Sequence, residues 1–303
     1  MVAPVRIAGR EIGSDVPCFV IAEAGVNHDG DIDRAEALVD AAAEAGADAV
    51  KFQTFRADAL ATADAPKAAY QKSGADESES QFAMLRRLEL DEDDHGRLAA
   101  RAAERHLVFL SSPFDRASAD LLERLDVAAF KVPSGELTNP RLLAHIAAKG
   151  RPMIVSTGMA AMGEVAAAMA AIDGAGAPPV VLLHCVSAYP AEPADCNLLA
   201  MASLAQRFAV PVGWSDHTLG ADVALAAVAL GAVVVEAPDP RSPRAGAGPC
   251  GVDGTAGVRC AGPGHSRHRK RARGWRQEAG GGRTGHRRRC PPQPGHRPRH
   301  RRW

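Results

Sequence analysis

The chain has 303 residues, 46% of them hydrophobic but only 4% aromatic, and a formal net charge of zero. This suits one large α/β domain with a core of Ala, Val and Leu, and excludes a chain too polar to fold. The zero is an average of opposites: residues 237–303 carry 17 Lys and Arg against 3 Asp and Glu, and residues 1–236 carry 19 against 33. The N-terminal stretch MVAPVRIAGREIGSD lacks the basic and apolar regions of a signal peptide. No apolar run reaches membrane-spanning length. The six cysteines form no CxxC pair, so disulfide and zinc frameworks are not indicated, and Cys18 and Cys185 read as small core residues. The expectation is a soluble cytoplasmic protein.

Along residues 18–236 short β-branched runs alternate with Ala/Leu-rich stretches of helical spacing. In chain order the pattern predicts strand 18–25, helix 33–45, strand 49–54, helix 91–105, strand 107–112, helix 117–125 and strand 128–133. It continues with helix 140–149, strand 152–156, helix 162–172, strand 180–186, helix 197–208, strand 210–215, helix 221–230 and strand 232–236. Gly46, Gly150 and Gly231 follow helices where a left-handed cap is wanted. Eight strands separated by helices predict an α/β fold, a (β/α)8 TIM barrel, over residues 1–236. A doubly wound sheet is the alternative, weakened by the absence of GxGxxG after the first strand. Residues 237–303 contain no Leu, Ile, Phe, Met or Tyr and read as a disordered Arg/Gly/Pro-rich tail.

A barrel places its active site at the C-terminal ends of its strands, and there the sequence turns polar. The ends read Glu23-Ala24-Gly25, Lys51-Phe52-Gln53, Ser111-Ser112-Pro113, Lys131-Val132-Pro133-Ser134-Gly135-Glu136, Ser156-Thr157-Gly158, Ser187-Ala188-Tyr189 and Ser215-Asp216-His217. Lysines on apolar strands are costly unless they meet anions. Alternation puts Lys51 and Gln53 on one face. Lysines together with Ser112, Ser134, Ser156 and Ser215 suit a small, highly charged ligand such as a phosphorylated carboxylic acid. Glu23 and Glu136 suit a polyol or proton transfer, and His217 a metal or a developing oxyanion. Taken singly, a strand-end serine serves as a cap, and His28 and His184 satisfy backbone groups.

The stretches FVIAEAGVNHDGD, VKFQTF, FLSSPFD, FKVPSGELTN, STGM, LHCVSAYPA and GWSDHTLG resemble the sialic acid synthases, a family that includes N-acetylneuraminate, legionaminate and pseudaminate synthases. The resemblance spans about residues 5–236. It implies a barrel followed by a small antifreeze-like domain, in a homodimer, that condenses phosphoenolpyruvate with an N-acetylated amino sugar, N-acetylmannosamine by default with di-acetamido trideoxyhexoses as close rivals. It also implies a divalent metal, Mn2+ or Mg2+. By this likeness Lys51, Ser112, Lys131, Ser134, Ser156 and Ser215 would hold phosphoenolpyruvate. Glu23, Gln53, Glu136 and Tyr189 would contact the sugar, with Glu23 as the catalytic residue orienting water. Ser187 stands where some members have Asn, and His217 would be one metal ligand.

The likeness stops after Glu236. The family continues with Lys-His-Phe/Leu-Thr-Leu-Asp-Arg, whose His is a second metal ligand; this chain has Ala237-Pro238-Asp239-Pro240-Arg241-Ser242. Codons GCA CCT GAC CCT CGA TCG for that segment, read one base later, spell His-Leu-Thr-Leu-Asp-Arg. The sequence thus reads as a barrel whose C-terminal region is frameshifted. The eighth helix and the antifreeze-like domain would then be missing and the chain inactive or impaired. A deoxyoctulosonate-phosphate-type synthase and a basic-tailed nucleic-acid-binding protein are the competing readings. Product analysis and a salt-dependent gel shift would separate them. The favoured reading expects no nucleic-acid or membrane partner.

Overall fold

A computed structural model describes residues 2–63, 65 and 80–238. It begins with an antiparallel hairpin, β1 (Val5–Ile7) and β2 (Arg10–Ile12), turning through Ala8 and Gly9 at positive φ. The sequence reading missed this pair, because three-residue strands fall below the length at which alternation stands out.

Eight parallel strands follow: β3 (Phe19–Gly25), β4 (Ala49–Thr54), β5 (Val108–Pro113), β6 (Phe130–Val132), β7 (Met153–Ser156), β8 (Val180–Cys185), β9 (Val212–Ser215) and β10 (Val234–Pro238). Their order is β5-β4-β3-β10-β9-β8-β7-β6, so the last strand pairs with the first. β5 and β6 lie against each other, and the sheet curls into a nearly closed barrel. This is the predicted (β/α)8 class. The last strand runs two residues beyond the predicted boundary, since Ala237 and Pro238 still pair with Ala22 and Glu23. The tail, its expected disorder and the frameshift reading fall on residues 239–303, outside those described.

All seven predicted helices form. They are α1 (Ile32–Glu44), α4 (Glu92–Glu104), α5 (Arg116–Arg124), α6 (Pro140–Ala147), α7 (Met162–Asp173), α8 (Ala200–Phe208) and α9 (Asp222–Ala229). Two unpredicted ones, α2 (Ala57–Leu60) and α3 (Gln81–Leu88), lie between β4 and β5. Local chemistry sets the starts. Asp31 accepts from two backbone N–H groups of α1, Asp91 and Asp94 make a reciprocal capping box on α4, and Asn139 caps α6 ahead of Pro140. Gly46, Gly150 and Gly231 take the left-handed backbone the sequence suggests, at φ 77°, 73° and 109°.

Two apolar layers hold this together. Outward residues such as Phe52, Phe130, Leu182 and Trp214 pack under the helices. Inward residues form a plug: Phe19, Ile21, Ala49, Leu110, Ala129, Ile154, Val181, Leu183 and Val234, floored by Val5, Ile7 and Ile12 of the hairpin. The period of two then puts the next inward side chain of each strand above the plug, at the C-terminal end.

Gly213 shows how closely the inner wall is fitted. A Cβ there would lie 2.3 Å from the Val234 carbonyl oxygen and 2.8 Å from Leu183 Cδ2. Gly213→Ala must push β9 away from β10, so we expect a loss of about 2 kcal/mol or more in urea unfolding. An unchanged midpoint would contradict the fit described.

Candidate active site

Above the plug, the inward positions are polar on every strand. Phe19 and Ile21 are followed by Glu23, Ala49 by Lys51 and Gln53, Leu110 by Ser112, and Ala129 by Lys131. Ile154 is followed by Ser156, Leu183 by Cys185, Gly213 by Ser215, and Val234 by Glu236. With Phe114, Pro133, Ser134, Tyr189 and His217 these residues line one cleft of about 360 Å³. Ten of the twelve residues chosen from the sequence therefore share a cavity: Glu23, Lys51, Gln53, Ser112, Lys131, Ser134, Ser156, Tyr189, Ser215 and His217.

The other two stand apart. The chain leaves β6 at Val132 and enters a 3-10 turn, Ser134–Glu136. There Glu136 turns away and accepts from the Asn139 side-chain amide at 2.8 Å, outside the lining. Ser187 is also absent from the lining. Its Oγ sits over Gly158, where a Cβ would come within 2.5 Å of it and within 3.0 Å of Ser134 Oγ.

The sequence reading passed over Glu236, which is 2% exposed and lies at the centre of the site. Its Oε1 is 3.4 Å from Lys51 Nζ and 3.5 Å from Lys131 Nζ, and accepts from Ser215 Oγ at 3.0 Å. Lys51 also donates to Glu23 at 2.6 Å, and Lys131 to Ser156 Oγ at 2.8 Å. Two ammonium groups thus share two carboxylates beneath the cleft. Burial would raise the Glu236 carboxyl, but Lys131 and Lys51 outweigh it and hold it near about 2. Burial lowers the Lys131 ammonium, opposed chiefly by Glu236. The signal for Glu236 is present in the sequence: it stands two residues after Val234, on the inward face of an apolar strand.

Three buried atoms in the cleft have no protein hydrogen-bond partner: Gln53 Oε1, Ser112 Oγ and Glu236 Oε2. Such atoms call for a ligand or water. Ser112 can donate, whereas Gln53 Oε1 and Glu236 Oε2 can only accept. The complement is a molecule carrying both anionic oxygens and hydroxyl or amide donors. Cys185 lies 3.2 Å from Ser134 Oγ, and burial pushes its thiol up, so it stays a neutral wall residue.

His217 Nδ1 donates to the Val186 carbonyl at 2.7 Å, which leaves Nε2 with its lone pair, and the Tyr189 ring packs 4.3 Å away. Burial lowers its pKa, keeping the ring neutral, as a metal ligand must be. Among the described residues, however, no group of three ligating side chains assembles. Glu23 and Glu236 are engaged by lysines. One imidazole does not make a metal site.

His28 and His184 do what the sequence reading assigned them. His28 Nδ1 accepts from the Gly30 N–H at 3.0 Å, and His184 Nε2 meets the Cys196 carbonyl at 2.8 Å. No helix among the described residues is long and apolar enough to cross a membrane.

The NeuB family model matches residues 38–237. N,N'-diacetyllegionaminic acid synthase of Legionella pneumophila is 50% identical over 228 residues, 74% of this chain and 64% of that protein. The Campylobacter jejuni protein of the same name is 47% identical over 220 residues, 72% of this chain and 66% of that one. The chain thus spans just under two thirds of each of these relatives. Among solved structures, the N-acetylneuraminic acid synthetase of Leptospira borgpetersenii, in complex with citrate, superposes with a TM-score of 0.71 at 28% identity, covering 95% of this chain and 93% of that one.

His28 supplies a pH prediction. Burial, then the field of His95, lowers its pKa from 6.5 to about 4. The unfolded chain therefore binds more protons between those values, and stability falls as pH drops from 6.5 toward 4. The loss from this group is on the order of 3 kcal/mol. His28→Asn, which keeps an acceptor for Gly30, should unfold with a correspondingly flatter dependence. Parallel pH curves for the two proteins would refute the assignment.

Proposed function

This chain belongs to the NeuB family, and from that membership we propose that its barrel is the site-bearing domain of an enzyme that condenses phosphoenolpyruvate with an N-acetylated amino sugar, giving a nonulosonic acid and phosphate. One observation carries the reading: Lys51 and Lys131 meet over Glu236 beneath a cleft ringed by Ser112, Ser134, Ser156 and Ser215. Phosphoenolpyruvate is small and carries its charge at both ends, which suits two buried ammonium groups and four hydroxyls. The unpaired acceptors Gln53 Oε1 and Glu236 Oε2 suit the hydroxyl and amide donors of a sugar.

In this reading C3 of phosphoenolpyruvate bonds to the aldehyde carbon of the open-chain sugar, whose oxygen gains a proton. Water adds at C2, and the C2–O bond to phosphate breaks. Lys51, Lys131 and the serines hold the anion in place. Glu23, hydrogen-bonded to Lys51, orients the water, while Gln53 and Tyr189 face the sugar. Glu136 and Ser187 serve only from outside the lining. If a divalent metal binds, His217 Nε2 would be one of its ligands and the ion would supply Lewis-acid chemistry for the aldehyde oxygen. The two bacterial relatives are named for an acid bearing two N-acetyl groups. We therefore favour a di-acetamido sugar over N-acetylmannosamine. The cytoplasm, where phosphoenolpyruvate is made, is the matching location.

Titration calorimetry of the full chain with phosphoenolpyruvate tests the reading. We expect binding, weakened about a hundredfold in Lys131→Met, near the ~3 kcal/mol of a charge-assisted hydrogen bond. No heat of binding with the unaltered chain would overturn it. The basic tail, in our reading a frameshifted translation, is tested by the coding sequence. Codons 237–242 should read His-Leu-Thr-Leu-Asp-Arg one base later. This chain should lack measurable turnover, and the chain with its frame restored should gain it. Turnover by the present chain would contradict that.

A further inference from the structure

On the outside of the barrel wall, behind Gln53 and Ser112, a second polar group is sealed from solvent. His95, at the start of α4, is fully buried, as is Ser111, and Thr54 nearly so. His95 Nδ1 lies 2.7 Å from the Asp91 carbonyl and Nε2 lies 2.8 Å from Thr54 Oγ1, which in turn is 2.7 Å from Ser111 Oγ. Burial lowers the imidazole pKa, so the ring is neutral. The ring hydrogen-bonds the Asp91 and Gln53 backbones as well as the Thr54 hydroxyl, and a hydroxyl can donate or accept, so Thr54 joins His95 to Ser111 in either ring tautomer.

The place of this chain of bonds matters more than its existence. In the β4–β5 ladder Phe52 is opposite Ser111 and Gln53 opposite Ser112. Thr54 and Ser111 point outward, next to Gln53 and Ser112, which point into the cleft with unpaired polar atoms. An apolar trio would fill the same space with no polar group to desolvate. What the polar trio adds is direction, since hydrogen bonds fix the height and rotation of two strands where van der Waals packing tolerates sliding.

We propose that His95 is a positioning residue: through Thr54 and Ser111 it fixes the Gln53 and Ser112 side chains at the ligand-facing rim. The proposal rests on the reading of the cleft as a phosphoenolpyruvate site. Thr54→Val removes the hydroxyl and keeps the shape, and Thr54→Ser restores the hydroxyl. In the full chain, Thr54→Val should weaken phosphoenolpyruvate binding by about tenfold, the scale of a small misplacement of positioned groups. Thr54→Ser should bind within about twofold of the unaltered protein, as expected where the bond alone matters. Thr54→Val binding as tightly as the unaltered chain, with only its melting temperature lowered, would overturn the proposal. A ligand-free readout separates it from the functional reading. The Gln53 side-chain amide resonances in a 15N-labelled sample should move or broaden in Thr54→Val and return in Thr54→Ser. Unmoved resonances would overturn the positioning role whether or not phosphoenolpyruvate binds.

Discussion

A buried carboxylate shared by two buried lysines sets the terms for the rest of the molecule. Glu236 comes from the last strand, Lys51 from the second and Lys131 from the fourth. None of the three charges is tolerable alone at that depth. A partial barrel would leave an ammonium or a carboxylate unpaired, so the charges add specificity to a closure whose driving force is apolar burial. Glu236 bonds across three walls at once through Lys51, Lys131 and Ser215. Losing it would leave the Lys131 ammonium without a carboxylate, since Lys51 keeps Glu23, and a buried charge stripped of its partner is strongly destabilising.

The same arrangement prepares the cleft. Lysines held by carboxylates are fixed before a ligand arrives, so an entering anion finds positioned donors and need not order long side chains itself. The plug beneath and the hairpin floor seal the barrel from below, leaving the C-terminal mouth as the approach to the lysines. The outer bonds of His95, Thr54 and Ser111 brace the wall from behind. Fold and site are therefore two uses of one alternation: every second residue of each strand is apolar low in the barrel and polar high in it.

That alternation is why much of the structure was legible in the sequence. Runs such as Phe19–Gly25 and Ala49–Thr54 announce strands by their β-branched and apolar content, and their last inward residues announce the rim. The family likeness supplied the roles. Glu136 and Ser187 lie outside the cleft lining, and both follow the end of a strand, where a turn decides direction and period-two reasoning no longer holds. Glu236 is masked in the sequence by the break in texture immediately after it, although alternation implies its inward register. The hairpin and helices α2 and α3 were missed for want of length, since a few residues do not display a period. The outer hydrogen-bond chain was not legible at all. His95, Thr54 and Ser111 lie far apart in sequence and meet only once β4, β5 and α4 are packed.

A crystal structure of the chain soaked with phosphoenolpyruvate addresses the central claim most directly. The account predicts the ligand's anionic oxygens within hydrogen-bonding distance of both Lys51 Nζ and Lys131 Nζ, with Glu236 still between them. A ligand bound elsewhere, or lysines that diverge with Glu236 facing neither, would contradict it.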